Sequence, residues 1–292
     1  MIISQIIGGL GNQMFQYAIG RALSIQRHQA FQLDISGFDQ YHLHHGYQLD
    51  HVFNCRPELA DQAALRSLLG WQSSSVVRGV LKRSGASLFR SSALVIEPGF
   101  EYWPGIRRIP DDCYLSGYWQ TEKYFNEHAA VIRSDFSFRA PLMDRNFQIS
   151  RQMIEKNAVS LHVRRGDYLA AKNARLFQSC DVGYYRRAIE LITSKISDPF
   201  FYIFSDDSKW VRENLAIDGP HLYVEHNKNE DSYIDMQLMS LCKHHVIANS
   251  TFSWWGAWLN ASSQKMVVAP RQWFRAPVPS SADLIPDQWV LL

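Results

Sequence analysis

The chain lacks most of the features that announce a function at first sight. Its four cysteines, Cys55, Cys113, Cys180 and Cys242, stand far apart and without metal-ligand spacing, so no thiolate metal centre is expected. They read as small buried hydrophobes of a reducing compartment. A basic excess is missing too, since the formal net charge is only +2. A nucleic-acid partner, which would require many phosphates to be neutralised, is therefore not expected, and any anion site must be local. No basic leader precedes the apolar residues of "MIISQIIGGLGNQ", glycines interrupt them early, and no later uncharged apolar run could cross a bilayer. A soluble cytoplasmic protein is the expectation. Internal repeats and low-complexity segments are also missing.

One further absence is local. No acidic residue occurs from 62 to 96, yet Arg66, Arg78, Lys82, Arg83 and Arg90 fall there among leucines, valines, Trp71 and Phe89. A solvated basic loop is one reading; peripheral contact with an anionic membrane or a pyrophosphate-linked acceptor is the other.

What is present argues for two domains. The 292 residues, 46% of them hydrophobic, are enough for two sizeable cores. Residues 2–7 predict a strand, 12–27 a helix with Phe15, Ile19, Ala22 and Leu23 at helical spacing, and 31–36 a second strand. The region up to about 146 is loop-rich and resists parsing. From there strands and helices alternate: strands at 158–163, 200–204, 221–224, 246–248 and 266–269, helices at 182–196, 209–215, 231–243 and 253–259. That order predicts an α/β fold with a doubly wound parallel sheet. The change of pattern near 148–156 divides the chain into domains 1–152 and 153–292.

Ligands of such sheets bind at the carboxyl ends of strands, and the polar clusters fall there. "GGLGNQ" (8–13) follows the first strand, "HVRRGDY" (162–168) a later one, then "SDD" (205–207) and "NSTFS" (249–253). His162 and Arg164 share a strand face, while Arg165 starts on the other unless the turn at Gly166 swings it round. Paired guanidinium forks suit the pyrophosphate of a nucleotide sugar and could stabilise it as a leaving group without a metal; a solvated turn is the alternative. A strand that ends in small hydroxylated residues and opens a helix offers N–H groups to phosphate, or is an ordinary cap. Asp235, on the margin of an apolar helix face, needs a donor partner. Guanine supplies one through its N1–H and 2-amino group; a salt bridge or a solvated helix edge would also serve. Gly9 and Gly11 match the start of a dinucleotide fingerprint, but Met14 stands where its last glycine belongs. The "RGD" tripeptide at 165–167 abuts a buried strand, so an adhesion role is disfavoured.

Taken together, "GGLGNQMFQYA", "GYWQTEKYF" (117–125), "HVRRGDY", "FSDD", "DMQLMSLCKHHVIANSTFSWWGAWL" and the closing Pro270-x-x-Trp273 resemble the α-1,2-fucosyltransferases, particularly bacterial enzymes that decorate O-antigen. The resemblance implies a GT-B-like architecture of two Rossmann-like domains facing a cleft. The C-terminal domain would hold GDP-L-fucose, and the N-terminal domain most of the site for a galactose-terminated or lipid-linked glycan. It implies no cofactor and no metal. It places Arg164 and Arg165 on the donor pyrophosphate, His162 and Asp235 on the guanosine, and Asp206, Ser250, Thr251 and Ser253 at further donor positions. The strand ends add Ser205, Asn249, Gly9, Gly11 and Asn12 to the donor side. Asp167 would act as base or, the favoured role, orient the arginines. Tyr118 and Trp119 would offer faces to the acceptor sugar, with Gln120, Asn12 or Gln13 for its hydroxyls and the loop of His44, His45 and Tyr47 nearby. The implied reaction is inverting transfer of fucose to a galactose 2-hydroxyl, at the cytoplasmic face of the inner membrane. A transferase of another GDP-sugar and a non-catalytic carbohydrate-binding protein are the rival readings.

Overall fold

The computed structural model describes residues 1–40, 45–82, 86–166, 179–275 and 282–292. The chain divides into two compact units, Met1–Arg139 with Ala282–Leu284, and Ala140–Ser281 with Ile285–Leu292.

The first unit is a parallel sheet in the order β3-β2-β1-β5-β4, built from β1 (Ile2–Gln5), β2 (Phe31–Asp34), β3 (Glu58–Leu59), β4 (Leu94–Ile96) and β5 (Cys113–Ser116). Central β1 pairs Ile2 with both Phe31 and Cys113. Helix α1 (Leu10–Arg27) buries Met14, Phe15, Ala18 and Ile19. Gly20 lets it approach the sheet, because a Cβ there would overlap Ser4 and the Phe31 ring. The short α2 (Leu49–Val52) follows β2, and α3 (Gln62–Leu69) and α4 (Ser75–Leu81) follow β3. Leu65, Leu69 and Leu81 of those helices form a core with Ile3, Leu94 and Tyr114. Arg78 of α4 also points inward: its guanidinium lies 2.9 Å from Asp34, which accepts from Tyr114 Oη at 2.6 Å. Arg78 thus balances a buried carboxylate and is no part of a solvated loop. Helix α5 (Ala129–Asp135) returns to α1 through Asp135, which accepts from Tyr17 and Arg21, both at 2.9 Å.

The second unit has six parallel strands in the order β11-β10-β9-β6-β7-β8: β6 (Asn157–Val163), β7 (Pro199–Ser205), β8 (His221–Val224), β9 (His244–Val246), β10 (Val267–Ala269) and β11 (Val290–Leu291). Its helices are α6 (Asp144–Glu155), α7 (Val182–Lys195), α8 (Ser208–Asn214), α9 (Tyr233–Leu241) and α10 (Thr251–Leu259). Both faces of β6 and β7 are covered. Val159, Leu161, Phe201 and Ile203 meet α7 and α8, while Ala158, Tyr202 and Phe204 meet α6 and α9. Hence these strands read as continuous apolar runs. The unit begins at Ala140, earlier than the expected 153, because Ile149 and Met153 of α6 belong to this core. The doubly wound parallel sheet is as expected.

Candidate active site

At the carboxyl edge of the second sheet, three adjacent strands deliver the polar clusters. β6 leads to Arg164-Arg165-Gly166, neighbouring β7 to Ser205-Asp206-Asp207, and β9, on the other side of β6, to the start of α10.

The arginine turn is held by the turn beside it. Asp206 accepts from the backbone N–H of Arg165 at 2.9 Å and of Gly166 at 3.0 Å, and lies 3.2 Å from Arg164 Nε. Asp207 accepts from Trp210 N–H at 3.1 Å as the cap of α8, and its other oxygen is 3.5 Å from Arg165 Nε. The Arg165 guanidinium stacks 3.7 Å above the Trp210 ring. Ser205 Oγ accepts from Asp207 N–H at 3.0 Å. Ser205 and Asp206, expected on the donor side, therefore shape the turn that carries the arginines. Partly exposed ion pairs of this kind are worth up to about 1 kcal/mol each. They aim the guanidiniums without holding them against a doubly charged ligand.

His162 is 5% exposed and its Nδ1 has no hydrogen-bond partner among the described residues. Its ring lies 6.0 Å from that of Phe252 in the first turn of α10. Burial, with a smaller push from Arg164, lowers its pKa to about 3. The imidazole is thus neutral at physiological pH and unsuited to act as a base. A buried polar atom without a partner is costly, and a ligand would satisfy it.

Ser250 occupies the cap position of α10, yet its side chain accepts no N–H of the helix. Ser253 turns its hydroxyl back to Ser250 O at 3.3 Å, and half-buried Thr251 opens the helix. The first-turn N–H groups and the positive end of the helix dipole consequently lack a side-chain cap from Ser250. Asn249 is a brace: it donates to Trp273 O at 2.9 Å and accepts from Cys180 Sγ at 3.5 Å, linking this turn to the Pro270-x-x-Trp273 motif. In α9, Asp235 accepts from Asn227 Nδ2 at 2.7 Å, and Asn227 pairs with Asn146, which also meets His226 Nε2 at 2.8 Å. Burial raises the Asp235 carboxyl to about 7, against the opposing hydrogen bond from Asn227.

The corresponding edge of the first unit carries the residues expected on the acceptor side. Gly8, at φ +80°, and Gly9 turn β1 into α1. Gln13 is fully buried: it donates to Gly8 O at 2.9 Å and Gly46 O at 2.8 Å, and accepts from Gln48 N–H at 3.0 Å. Its amide is consumed by the protein and leaves nothing for a hydroxyl. Asn12 accepts from Gln120 Nε2 at 2.8 Å. Trp119, at φ +56° and 1% exposed, packs edge-on to Tyr124 with centroids 5.4 Å apart. Its ring is core, contrary to the expectation of a sugar platform. Tyr118, the other residue expected to face a sugar, is 38% exposed. Tyr47 is half-buried beside Phe38, and its hydroxyl has no hydrogen-bond partner among the described residues. Asp167 and His44 lie outside the described residues.

Sequence reasoning missed Glu97, immediately after β4. Its oxygens accept from the N–H groups of Tyr118 at 2.6 Å and Trp119 at 2.8 Å, bracing the left-handed Trp119. Burial raises its carboxyl to about 7, while those two hydrogen bonds oppose the shift. A carboxylate closing an apolar strand, directly after a long stretch without acids, was the available signal. Among the described residues no cluster of three or more histidine, cysteine or acidic side chains could hold a metal ion, and no helix is long and apolar enough to cross a membrane.

A family model described as Glycosyl transferase family 11 matches residues 106–292. The alpha-1,2-colitosyltransferase of Escherichia coli is 32% identical over 299 residues, covering 99% of this chain and 98% of its own. The O-antigen biosynthesis glycosyltransferase WbnK of the same species is 32% identical over 312 residues, covering 99% of both chains. Galactoside alpha-(1,2)-fucosyltransferase 1 of Aotus azarae is 27% identical over 154 residues, covering 50% of this chain and 42% of its own. Among solved structures, fucosyltransferase NodZ from Bradyrhizobium superposes with a TM-score of 0.55 at 12% identity, covering 87% of this chain and 91% of that one. At that identity the likeness is one of fold, and the fold is the expected GT-B-like pair of Rossmann-like units.

Proposed function

The chain belongs to glycosyl transferase family 11, and from that premise we propose that it transfers L-fucose from GDP-β-L-fucose to the 2-hydroxyl of a terminal β-galactoside. The anomeric centre is inverted, giving an α-1,2-linked product in the synthesis of O-antigen or a related surface glycan. One observation carries this reading. His162, whose Nδ1 has no partner among the described residues, the Arg164-Arg165 turn and the start of α10, which the Ser250 side chain does not cap, gather at one sheet edge. An anionic, hydrogen-bonding ligand would partner the imidazole, add to the ion pairs of the arginines and meet the helix start at once.

In this reading the α10 N–H groups, with Ser250 and Thr251, receive phosphate oxygens. Asp235, as carboxylate, accepts from guanine N1–H and the 2-amino group, and His162 contacts the nucleoside. As the bond from C1 to the β-phosphate oxygen breaks, negative charge grows on the departing GDP. Arg164 and Arg165 stabilise that charge more strongly in the transition state than in the ground state, which is what lowers a barrier. Two fixed guanidiniums serve where other transferases use a divalent cation, and no metal or cofactor is required. Asp167 orients the arginines, and the acceptor proton leaves late, to phosphate or water. Tyr118, Asn12, Gln120 and Tyr47 form the acceptor side, which takes a free or lipid-linked galactose-terminated glycan; Gly9 and Gly11 let backbone approach the donor.

A second reading has specific support, because a full-length relative is named for colitose, which is L-fucose without its 3-hydroxyl. A site that hydrogen-bonds a hydroxyl rejects the deoxy analogue by several orders of magnitude, whereas an apolar pocket discriminates weakly. The test is incubation with GDP-fucose, GDP-colitose and GDP-mannose over a panel of β-galactosides, followed by linkage analysis. Turnover with GDP-fucose to a 2-linked product is expected. Preference for GDP-colitose would move the assignment to the second reading, and failure to bind GDP would overturn both.

A further inference from the structure

We infer that the outer surface of α3 and α4, with the turns of Trp71 and of Leu88-Phe89, docks on the headgroup layer of an anionic phospholipid bilayer. A surface helix ordinarily turns its polar side outward. Here the inner side is apolar, through Leu65, Leu69 and Leu81, and the outer side of α4 is apolar as well. Val76 and Val80, one helical turn apart, are 74% and 52% exposed. Trp71 before the helix is 65% exposed, and Leu88 and Phe89 after it are 92% and 68% exposed. Of the twelve large exposed hydrophobics among the described residues, these five fall between 71 and 89. Such a concentration marks a patch, whereas single exposed hydrophobics scatter over any surface.

The patch is held in shape. Gln72, beside Trp71, donates to Phe89 O at 3.0 Å and accepts from Ser91 N–H at 3.1 Å. Arg90 Nε donates to Leu81 O at 2.7 Å. The turn of Trp71, the end of α4 and the turn of Leu88-Phe89 are thereby tied together.

Charge selects the occupant. No acidic residue occurs from 62 to 96, while Arg66 and Lys82 are exposed on the same segment. Arg90 and Arg108 line a hollow of about 470 Å³ with Leu94, Val95 and Trp103. Aromatic and aliphatic side chains set among cations, in a segment whose own residues include no carboxylate, match an interface of acyl chains beneath anionic headgroups. A second copy of this chain would oppose cation to cation across a two-fold contact. The short helices and single turns suit insertion to headgroup depth.

The test is flotation of the full chain with vesicles of phosphatidylcholine alone and of phosphatidylcholine with phosphatidylglycerol. Binding to the phosphatidylglycerol vesicles is expected, with weak binding to phosphatidylcholine alone and release by high salt. The double variant Trp71→Ala/Phe89→Ala should lower partitioning by roughly tenfold or more. Arg66→Glu, which removes one charge and adds its opposite, should lower it by about fivefold or more. Both variants change exposed residues and should keep their melting temperature and their transfer to a soluble galactoside. Flotation of neither protein, equal flotation of wild type and double variant, or a wild-type dimer that the double variant makes monomeric would overturn the inference. Because lipid binding is read directly, the result stands or falls apart from the assignment of donor and acceptor.

Discussion

The carboxyl edges of the two sheets offer similar polar side chains but differ in which of them the protein itself partners. At the edge of the second unit, groups are left wanting partners: His162 Nδ1 has none, and the start of α10 has no cap from Ser250. At the edge of the first, apart from the Tyr47 hydroxyl, the polar groups are spent on one another. Gln13 makes three hydrogen bonds to backbone, Asn12 pairs with Gln120, and Glu97 accepts two N–H groups. An edge with unmet buried polar groups is prepared for one particular ligand, because binding recovers free energy that folding left on the table. A satisfied edge is prepared for shape, and Tyr118, among its expected sugar-facing residues, is exposed. The proposed function assigns the nucleotide to the second edge and the glycan to the first.

The largest effect should come from the edge of the second unit. Arg165→Ala is expected to lower kcat by at least about a hundredfold, corresponding to roughly 3 kcal/mol of transition-state stabilisation. Its melting temperature should change little, since Arg165 contributes only a partly exposed ion pair and the stack on Trp210. Near-normal kcat would remove the assignment. The matching change at the satisfied edge is Gln13→Leu. It leaves the carbonyls of Gly8 and Gly46 and the N–H of Gln48 without partners, so a stability loss on the order of 3 kcal/mol is expected in chemical denaturation. If Gln13→Leu instead kept full stability while the acceptor KM rose, the contrast between the edges would be wrong.

Much of the second unit could be read in advance. The runs of β6 and β7 are apolar because both faces are covered, and that alone identifies central parallel strands. Motifs at their ends then fall where a parallel sheet puts its ligands. The first unit was less legible. Its strands are short, and its hydrogen bonds join residues as distant as Asn12 and Gln120 or Glu97 and Tyr118, pairings that no local pattern encodes. Trp119 shows the limit plainly: beside Tyr118 it reads as a second sugar platform, but its left-handed backbone turns the ring into the core. Arg78 is the same lesson in charge, since its buried partner Asp34 lies far back along the chain.

A smaller effect is expected at Asp235, where pH separates ligand binding from stability. Its carboxyl is raised by burial to about 7 in the folded protein, above the usual value in an unfolded chain. The folded state therefore holds the proton more tightly, and this group costs stability as pH rises from the unfolded pKa towards 7, with the full cost present above 7. Guanine recognition runs the other way, since it needs the carboxylate. GDP affinity should fall as pH drops below about 7, by at most about tenfold per unit. Asp235→Asn should flatten both profiles, stabilise the protein at pH 8 and lower GDP affinity by about tenfold, the scale of one lost charge-assisted contact. Calorimetric titration at pH 6 and 8 reads affinity directly, and thermal melts read stability. An unchanged GDP affinity in Asp235→Asn would detach this residue from the nucleotide.

Glu97 gives the smallest and most discriminating effect, because it tests the satisfied edge without dismantling it. Its carboxyl also sits near 7 through burial, and protonation weakens the two hydrogen bonds that hold Tyr118 and Trp119. Glu97→Gln keeps one acceptor oxygen and loses the charge, so the turn should persist with looser control of Tyr118. Acceptor KM is expected to rise several-fold, on the scale of about 1 kcal/mol for hydrogen bonds altered rather than removed, while donor KM and kcat at saturation stay near wild type. The wild-type acceptor KM should itself rise as pH falls through 7, and the variant should lose that dependence. Equal changes in both KM values, or a pH profile that survives the substitution, would mean that Glu97 does not position the acceptor and that the first edge is scaffold throughout.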